Sequence, residues 1–339
     1  MNKNNKKVVI IAEAGVNHNG DVNLAKQLID VAAEAKADYV KFQTFQSNKV
    51  ISSFAEQALY QYKNTGIKES QLEMVQKLEL SKQDHHLLLD HCKKTNIKFF
   101  STSFDLPSTR FLRKLNLGLF KIPSGEITNL PYLSLIGSYN SKIILSTGMA
   151  DLGEIEQAIR VLEKNGTERN KITLLHCTTE YPAPFEEVNL KAMNTLREAF
   201  GIEVGYSDHT EGIEVAIAAT ALGASVIEKH FTLDKNFSSF RDHKLSADFV
   251  DLKNLVQSIR KIELQLGEFD KKILKPEKNL IKIIRRGVYA TRKINKDEKI
   301  SNINSLYLRP SKSKDFLHIK KIIGKKIKYP KKQNQKILY

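Results

Sequence analysis

Two histidines have the type and position needed to hold one divalent cation. His209 follows the apolar run 203–206, and His230 lies near the end of the run 226–231. If these runs form neighbouring strands, the imidazoles converge, and two protein ligands leave several metal positions open to substrate and water. A single histidine is more often a satisfied packing residue. The pairing at adjacent strand ends favours a catalytic metal site.

Three charged residues, Glu13, Lys41 and Lys121, interrupt other apolar runs. An unpaired charge inside a protein is too costly, so Glu13 is either paired with a cation such as Lys41 or used as a general acid or base. The two lysines suit a phosphate or carboxylate ligand. The alternative for each lysine is an ion pair with Glu13 or Glu126.

Two turns combine hydroxyl groups with glycine, Ser124-Gly125 and Ser146-Thr147-Gly148. Such turns bring backbone N–H and hydroxyl groups close to an anion. Either turn alone is more often an ordinary loop. Together with the lysines and histidines, they predict a polar, cation-rich site for a small anionic substrate and a metal.

The elements that must position these residues alternate along the chain. Eight apolar, strand-like runs are separated by stretches of helical periodicity, which predicts an α/β fold, specifically a (β/α)8 TIM barrel. The predicted strands are 8–14, 38–45, 98–104, 119–124, 142–146, 172–177, 203–206 and 226–231. The predicted helices are 22–35, 82–95, 108–115, 152–164, 190–200, 213–222 and 247–266, with a loop and a further helix inside 47–81.

In such a barrel the active site lies at the carboxyl ends of the strands, where the polar groups above fall. The alternative topology is an open doubly wound sheet. No Gly-x-Gly-x-x-Gly motif follows the first run, however, so a dinucleotide site has no support.

The charge of the chain changes near residue 270. The 339 residues carry a formal net charge of +16, yet residues 271–339 alone contain 22 lysines or arginines and four acidic residues. The preceding part is therefore nearly neutral, and the shift marks a domain boundary. We predict a catalytic barrel over 1–267, a linker over 268–281 and a small, mostly β domain over 282–339.

The composition narrows the class of protein. The hydrophobic and charged fractions, 41% and 27%, are those of a globular protein. The two cysteines form no motif, and no apolar stretch approaches the ~20 residues of a membrane span, so we expect a cytoplasmic protein without membrane contact.

RNA or polyanion binding through the basic C-terminal domain is an alternative function, but the scarcity of aromatic residues for base stacking disfavours nucleic acid.

Eight motifs surround the residues above: AEAGVNHNG (12–20), VKFQTF (40–45), STSFD (101–105), KIPSGEITNLPYL (121–133), ILSTGM (144–149), LLHCTTEYPAPF (174–185), GYSDHT (205–210) and IEKHFTLD (227–234). In combination they resemble the sialic acid synthase family, the bacterial enzymes that make N-acetylneuraminic, legionaminic or pseudaminic acid. The resemblance covers nearly the whole chain.

The resemblance implies a reaction and an assembly. Phosphoenolpyruvate would condense with N-acetylmannosamine, or a 2,4-diacetamido-6-deoxy analogue, and water to give N-acetylneuraminate, or legionaminate, and phosphate. His209 and His230 would bind Mn²⁺ or Mg²⁺. The C-terminal domain would be an antifreeze-like (SAF) domain that reaches the partner's active site in a domain-swapped homodimer.

The resemblance also implies roles for individual residues. Glu13 would be the essential carboxylate and act with the two histidines. The phosphoenolpyruvate contacts would be Lys41, Thr102, Lys121, Ser124, Ser146 and Ser207. The amino-sugar contacts would be Gln43, Tyr181 and Asp242, with Arg309 reading the N-acyl group across the dimer. Phe104 and Glu126, in the same motifs, complete the predicted substrate-binding set.

The chain departs from the family at three places. The segment 236–246 replaces a Gly-Pro-Asp turn and is one residue longer, which reshapes the surroundings of Asp242. Thr179 stands where some relatives have a phosphate-contacting asparagine, and SKSKDF follows Arg309-Pro310 in place of a glycine-rich turn. The nearest alternative is another phosphoenolpyruvate-dependent synthase of seven- or eight-carbon keto acids, which the histidine pair and the C-terminal module disfavour.

Overall fold

The computed structural model describes residues 7–52, 70–237, 241–310 and 319–337, with the backbone alone given for Arg241, Asp242 and Ile319. The chain divides into two compact units, the first ending at Gly267 and the second beginning at Glu268. Within the described ranges, no helix has both the length and the apolar character needed to cross a bilayer.

The first unit is a closed barrel in which every strand pairs in parallel with the next, and the eighth pairs with the first. The strands are β1 Val9–Gly15, β2 Tyr39–Thr44, β3 Lys98–Ser103, β4 Leu119–Ile122, β5 Lys142–Ser146, β6 Ile172–His176, β7 Glu203–Asp208 and β8 Val226–His230. The predicted TIM barrel is confirmed, and each predicted strand end lies within two residues of the observed one.

Helices separate the strands and follow β8. Those of this unit are Val22–Glu34, Ser47–Val50, Gln71–Gln76, Lys82–Thr95, Leu106–Lys114, Leu130–Gly137, Leu152–Lys164, Ala192–Phe200, Glu214–Ala221, Arg241–Leu245 and Phe249–Leu266. Several begin where an aspartate or serine side chain accepts a hydrogen bond from a first-turn N–H, as Asp21, Ser81 and Asp151 do. The helix Leu130–Gly137 was not predicted, because LPYLSLIG is apolar on nearly all sides and lacks an amphipathic period.

A small apolar cluster forms the floor beneath the charged residues inside the barrel. It consists of Ile11, Phe100, Ile144, Leu175 and Val226. Because side chains alternate along a strand, Ile11 and Glu13 point to the same side of β1, as Val226 and Glu228 do on β8. Burial of each aliphatic or aromatic side chain stabilises the fold by about 1.5–3 kcal/mol, which helps offset the cost of burying the charged residues next to this cluster.

The second unit is built around a two-stranded antiparallel sheet of β9 Gly287–Ala290 and β10 Ser305–Leu308. Its buried core is Val288, Ala290, Ile294, Ile300, Ile322, Ile327 and Ile337. Within this domain the sequence predicts short β pieces at 286–290, 306–308 and 319–327. The two strands coincide with the first two pieces, but the third begins with the helical turn Ile319–Ile322. A second helix, Glu277–Ile284, begins where the sequence predicts a solvated linker. The assignment of this unit as an SAF domain stays a prediction.

Candidate active site

Four charged side chains meet inside the barrel near the carboxyl ends of its strands. Lys41 forms an ion pair with Glu13, and its Nζ lies 3.7 Å from Glu228 Oε2. Lys121 Nζ lies 3.2 Å from Glu228 Oε1, and none of the four side chains is more than 6% exposed. The ion pair expected for Lys41 is therefore present, whereas Lys121 pairs with Glu228 and not with Glu13 or Glu126.

Strand register brings this cluster together. Glu13 is the Cα partner of Lys41 on β2 and of His230 on β8, so one carboxylate stands between a lysine and a histidine. Two hydroxyls complete the arrangement. Thr102 Oγ1 accepts a hydrogen bond from Lys41 at 3.0 Å, and Ser207 donates one to Glu228 at 3.1 Å.

The two carboxyls differ in their affinity for protons. Burial raises the pKa of Glu13 to about 7, although Lys41 opposes the shift. Burial acts in the same direction on Glu228, but Lys121 and Lys41 outweigh it and lower the pKa of Glu228 to about 2. Glu228 has two lysine neighbours and stays anionic, whereas Glu13 is the carboxyl whose charge changes near neutral pH.

The two imidazoles lie side by side with defined hydrogen bonds. Their ring centroids are 5.7 Å apart. His209 Nδ1 lies 2.7 Å from the Thr178 carbonyl oxygen, which can only accept, so Nδ1 carries the proton. The lone pair of His209 therefore resides on Nε2, where the Tyr181 hydroxyl approaches to 3.2 Å. The predicted convergence of the histidines is present in the fold.

The two histidines are suited to bind a divalent cation, but the protein offers few further ligands beside them. Burial lowers the pKa of His209, and burial together with His209 and Lys41 lowers the pKa of His230 well below its usual value. Both rings are thus neutral, the form that binds metals. No cluster of three or more His, Cys, Asp or Glu side chains suited to a metal occurs among the described residues. The remaining ligands would be oxygens of substrate or water.

A pocket of hydroxyl groups surrounds Gly148, after β5. The Gly148 N–H donates to Ser124 Oγ at 3.0 Å, and Ser124 Oγ lies 3.3 Å from Cys177 Sγ. A Cβ at Gly148 would meet Thr179 Oγ1 at 2.2 Å, so any larger residue would force the surrounding side chains to shift. The hydroxyls of Ser146 and Thr179 are buried without a protein hydrogen-bond partner in the described structure. Buried hydroxyls of this kind need a ligand or water to satisfy them.

Gln43 lies close to Glu13 and His230 at the end of β1. A Cβ on Gly15 would lie 3.3 Å from Glu13 Oε1, 3.6 Å from Gln43 Nε2 and 3.6 Å from His230 Cε1. The three side chains therefore line one small space at the end of β1. This is the position expected of a group that contacts a substrate near Glu13 and His230.

For four other predicted contact residues, the structure gives other contacts, a position in the second unit, or no side-chain position. Phe104 packs edge-on against Phe45 with ring centroids 6.3 Å apart, and Glu126 accepts a hydrogen bond from Asn129 at 2.6 Å. The side chain of Asp242 lies outside the described residues. Arg309 directly follows β10 in the second unit. Their substrate contacts stay predictions.

Sequence reasoning missed two residues of the site. Glu228 stands two residues before His230 on β8, and this spacing places both on one face of the strand. A carboxylate in an apolar run was the signal that singled out Glu13, and it applies equally to Glu228. Cys177 lies beside Ser124, but no local pattern distinguishes it from an ordinary buried cysteine.

Comparison with known proteins gives consistent matches. A model of the NeuB family matches residues 28–271. The chain is 57% identical to N,N'-diacetyllegionaminic acid synthase of Campylobacter jejuni, over 94% of this chain and 96% of that relative. It is 45% identical to the enzyme of the same name from Legionella pneumophila, over 94% and 90%. The crystal structure of N-acetylneuraminic acid synthetase from Leptospira borgpetersenii, in complex with citrate, has a TM-score of 0.72 at 34% identity and covers 83% of this chain and 94% of that one.

Proposed function

This chain belongs to the NeuB family, and we propose that it makes N,N'-diacetyllegionaminic acid from phosphoenolpyruvate and a 2,4-diacetamido-6-deoxymannose-type sugar. Condensation of phosphoenolpyruvate with an amino sugar, forming a C–C bond, is the reaction of these relatives and of this enzyme. The choice of acceptor rests on the two legionaminic acid synthases at 57% and 45% identity. N-acetylmannosamine is the alternative acceptor.

His209 and His230 are the proposed ligands of the catalytic Mn²⁺ or Mg²⁺. Two observations support this assignment. The two neutral imidazoles lie next to each other, and the hydrogen bond from His209 Nδ1 to the Thr178 carbonyl leaves the lone pair of His209 on Nε2. A divalent cation at this position supplies polarisation of the aldehyde oxygen of the sugar. Tyr181, beside His209, and Gln43, beside His230, are placed to orient the sugar.

Phosphoenolpyruvate is proposed to bind between the charged cluster and the Gly148 pocket. Lys41 and Lys121 supply positive charge, and Thr102 and Ser207 flank the cluster. The unpartnered hydroxyls of Ser146 and Thr179, together with that of Ser124, can donate hydrogen bonds to the phosphate or carboxylate group of phosphoenolpyruvate. Ser124 closely follows β4, the strand that carries Lys121, and contacts Cys177, so the pocket and the cluster adjoin at the end of this strand.

Glu13 is the proposed general base. C3 of phosphoenolpyruvate attacks the aldehyde carbon, the aldehyde oxygen takes up a proton from solvent, and positive charge develops at C2. Water adds at C2 and loses one proton to Glu13, which returns it to solvent. The C–O bond then breaks, C2 becomes a carbonyl, and the departing phosphate takes the second proton of the added water. A pKa of about 7 suits a group that accepts and returns a proton at neutral pH better than a permanent anion.

A domain-swapped homodimer is the proposed assembly, with Arg309 completing the partner's site. The segment that begins the second unit supports an interface. None of the residues of the helix Glu277–Ile284 is buried, and Leu280, Ile283 and Ile284 are exposed. Clustered exposed apolar side chains mark surfaces that bind another protein.

The test is phosphate release from phosphoenolpyruvate with purified enzyme, Mn²⁺ and each candidate sugar. We expect the 2,4-diacetamido-6-deoxy sugar to give the highest kcat/KM. The observation that carries the proposal is the buried cluster of two lysines and two carboxylates beside the paired imidazoles. Higher kcat/KM with N-acetylmannosamine would reassign the acceptor, and no release with any amino sugar would overturn the function.

A further inference from the structure

Two pairs of facing residues lie at the ends of β7 and β8, directly before the two histidines. Ser207 is the Cα partner of Glu228, and Asp208 is that of Lys229. The first pair hydrogen-bonds inside the barrel at 3.1 Å. Because side chains alternate along a strand, the second pair lies on the opposite face, where Lys229 Nζ is 2.9 Å from Asp208 Oδ2. The next residues along the two strands are the paired histidines.

The Asp208–Lys229 ion pair holds the residues on both sides of His209. Asp208 Oδ1 accepts hydrogen bonds from the Thr210 N–H at 3.0 Å and the Thr210 hydroxyl at 2.7 Å. Lys229 also donates to the Thr210 carbonyl at 2.9 Å. With His209 itself bonded to the Thr178 carbonyl, the turn that carries this imidazole has little freedom.

Stability alone does not account for such a pair. The side chains of Asp208 and Lys229 are 0% and 1% exposed, so both charges have lost their hydration. An apolar pair of similar volume is often as stable as a buried ion pair. What the ion pair adds is a fixed geometry. Asp208 and Thr210, the two peptide neighbours of His209, are hydrogen-bonded to each other, and both are hydrogen-bonded to Lys229, the neighbour of His230.

We infer that Asp208 and Lys229 are positioning residues that set the spacing of the two imidazoles for the metal. The inference rests on the proposed metal site and extends it to residues that make no contact with the ion. Partners that orient metal ligands typically change metal affinity by about 10- to 100-fold when they are replaced. The pair acts through the backbone on both ligands at once.

The test is Mn²⁺ binding to the full-length protein by isothermal titration calorimetry. The double variant Asp208→Asn/Lys229→Met removes both charges together and leaves no unpaired ion. We expect it to fold, as judged by circular dichroism, and to bind Mn²⁺ at least about 10-fold more weakly. The single variant Asp208→Asn keeps an oxygen for Thr210 but leaves the Lys229 charge buried without its partner. We expect it to have a lower free energy of unfolding and to lose Mn²⁺ affinity in the same direction.

A matched control is the ion pair of Asp38 and Arg260 at the amino-terminal end of the barrel, where Arg260 Nη2 lies 2.6 Å from Asp38 Oδ2. Asp38→Asn/Arg260→Met should lower the melting temperature and leave Mn²⁺ affinity unchanged. Absence of Mn²⁺ binding by the wild type would refute the metal site itself. Unchanged Mn²⁺ affinity in a folded Asp208→Asn or double variant, with a wild type that binds, would overturn the positioning role alone.

Discussion

Lys121 and Glu228 form an ion pair at 3.2 Å in the barrel interior, where neither side chain is more than 6% exposed. Glu228 also lies 3.7 Å from Lys41 and accepts a hydrogen bond from Ser207. One carboxylate thus compensates for part of the charge of two lysines, and these neighbours hold its pKa at about 2 against burial. Glu228 is therefore an anchor for both cations of the proposed phosphoenolpyruvate site.

Glu228→Gln should weaken both the fold and the reaction. It leaves Lys41 and Lys121 buried with Glu13 as the remaining carboxylate of the cluster, and breaking a buried pair costs about 3–5 kcal/mol. We expect the free energy of unfolding in urea to fall by about 3 kcal/mol and phosphate release to fall on the order of 100-fold or more.

The double variant Glu228→Gln/Lys121→Met separates these two effects. Removing the second charge should recover most of the free energy of unfolding, because no uncompensated lysine remains at that position, while activity stays lost. A double-mutant cycle in urea measures the coupling. Strictly additive stability changes would show that the two side chains do not act as a pair.

The pH dependence of kcat/KM should report on Glu13, because this ratio reflects ionisation of the free enzyme. Its pKa is raised to about 7 by burial, so the carboxyl is protonated below this pH and cannot accept a proton. We expect phosphate release to rise with pH through about 7 and then level off. Glu13→Gln should lose the activity, whereas Glu156→Gln, which breaks a surface pair with Arg160, should keep the profile. A flat wild-type profile from about pH 6 to pH 8 would argue against the general-base role.

The sequence predicts which charged residues lie inside the barrel better than it predicts which residues they contact. Glu13, Lys41 and Lys121 are conspicuous because each interrupts an apolar run, and the barrel follows from the alternation of strands and helices. Which carboxylate faces which lysine depends on closure of the barrel, since β8 returns to lie beside β1. No local pattern encodes that contact, and Lys121 accordingly pairs with Glu228, which was not predicted as a site residue.

The two histidines should each be necessary for metal binding. His209→Ala or His230→Ala removes half of the imidazole donors, and we expect Mn²⁺ affinity to fall by at least about 100-fold in calorimetric titrations while the circular dichroism spectrum is retained. His91→Ala is the control, because His91 pairs with Asp30 near the surface. Retention of wild-type Mn²⁺ affinity in both variants would remove these residues from the metal site.

Gly148→Ala should damage the pocket proposed for the anion. The added methyl would meet Thr179 Oγ1 at 2.2 Å and Ser124 Oγ at 2.9 Å, so the two hydroxyls must move apart. We expect KM for phosphoenolpyruvate to rise by about 10-fold or more, with a smaller effect on KM for the sugar. Gly125→Ala is the control, since a Cβ there meets nothing within 4 Å. Equal KM values in the two variants would argue against an anion site around Gly148.

Mixing two inactive variants should restore activity if the second unit serves the partner's barrel. Arg309→Ala leaves the histidines intact, and His209→Ala leaves Arg309 intact. In a swapped heterodimer, one barrel has both histidines and receives Arg309 from the other chain, so one site of two is complete. Random pairing of the coexpressed chains should therefore give about a quarter of wild-type phosphate release. Without the swap, the barrel with intact histidines is served by its own second unit, which carries the Arg309→Ala substitution, and coexpression restores nothing. Heterodimers isolated with two different affinity tags decide between these outcomes.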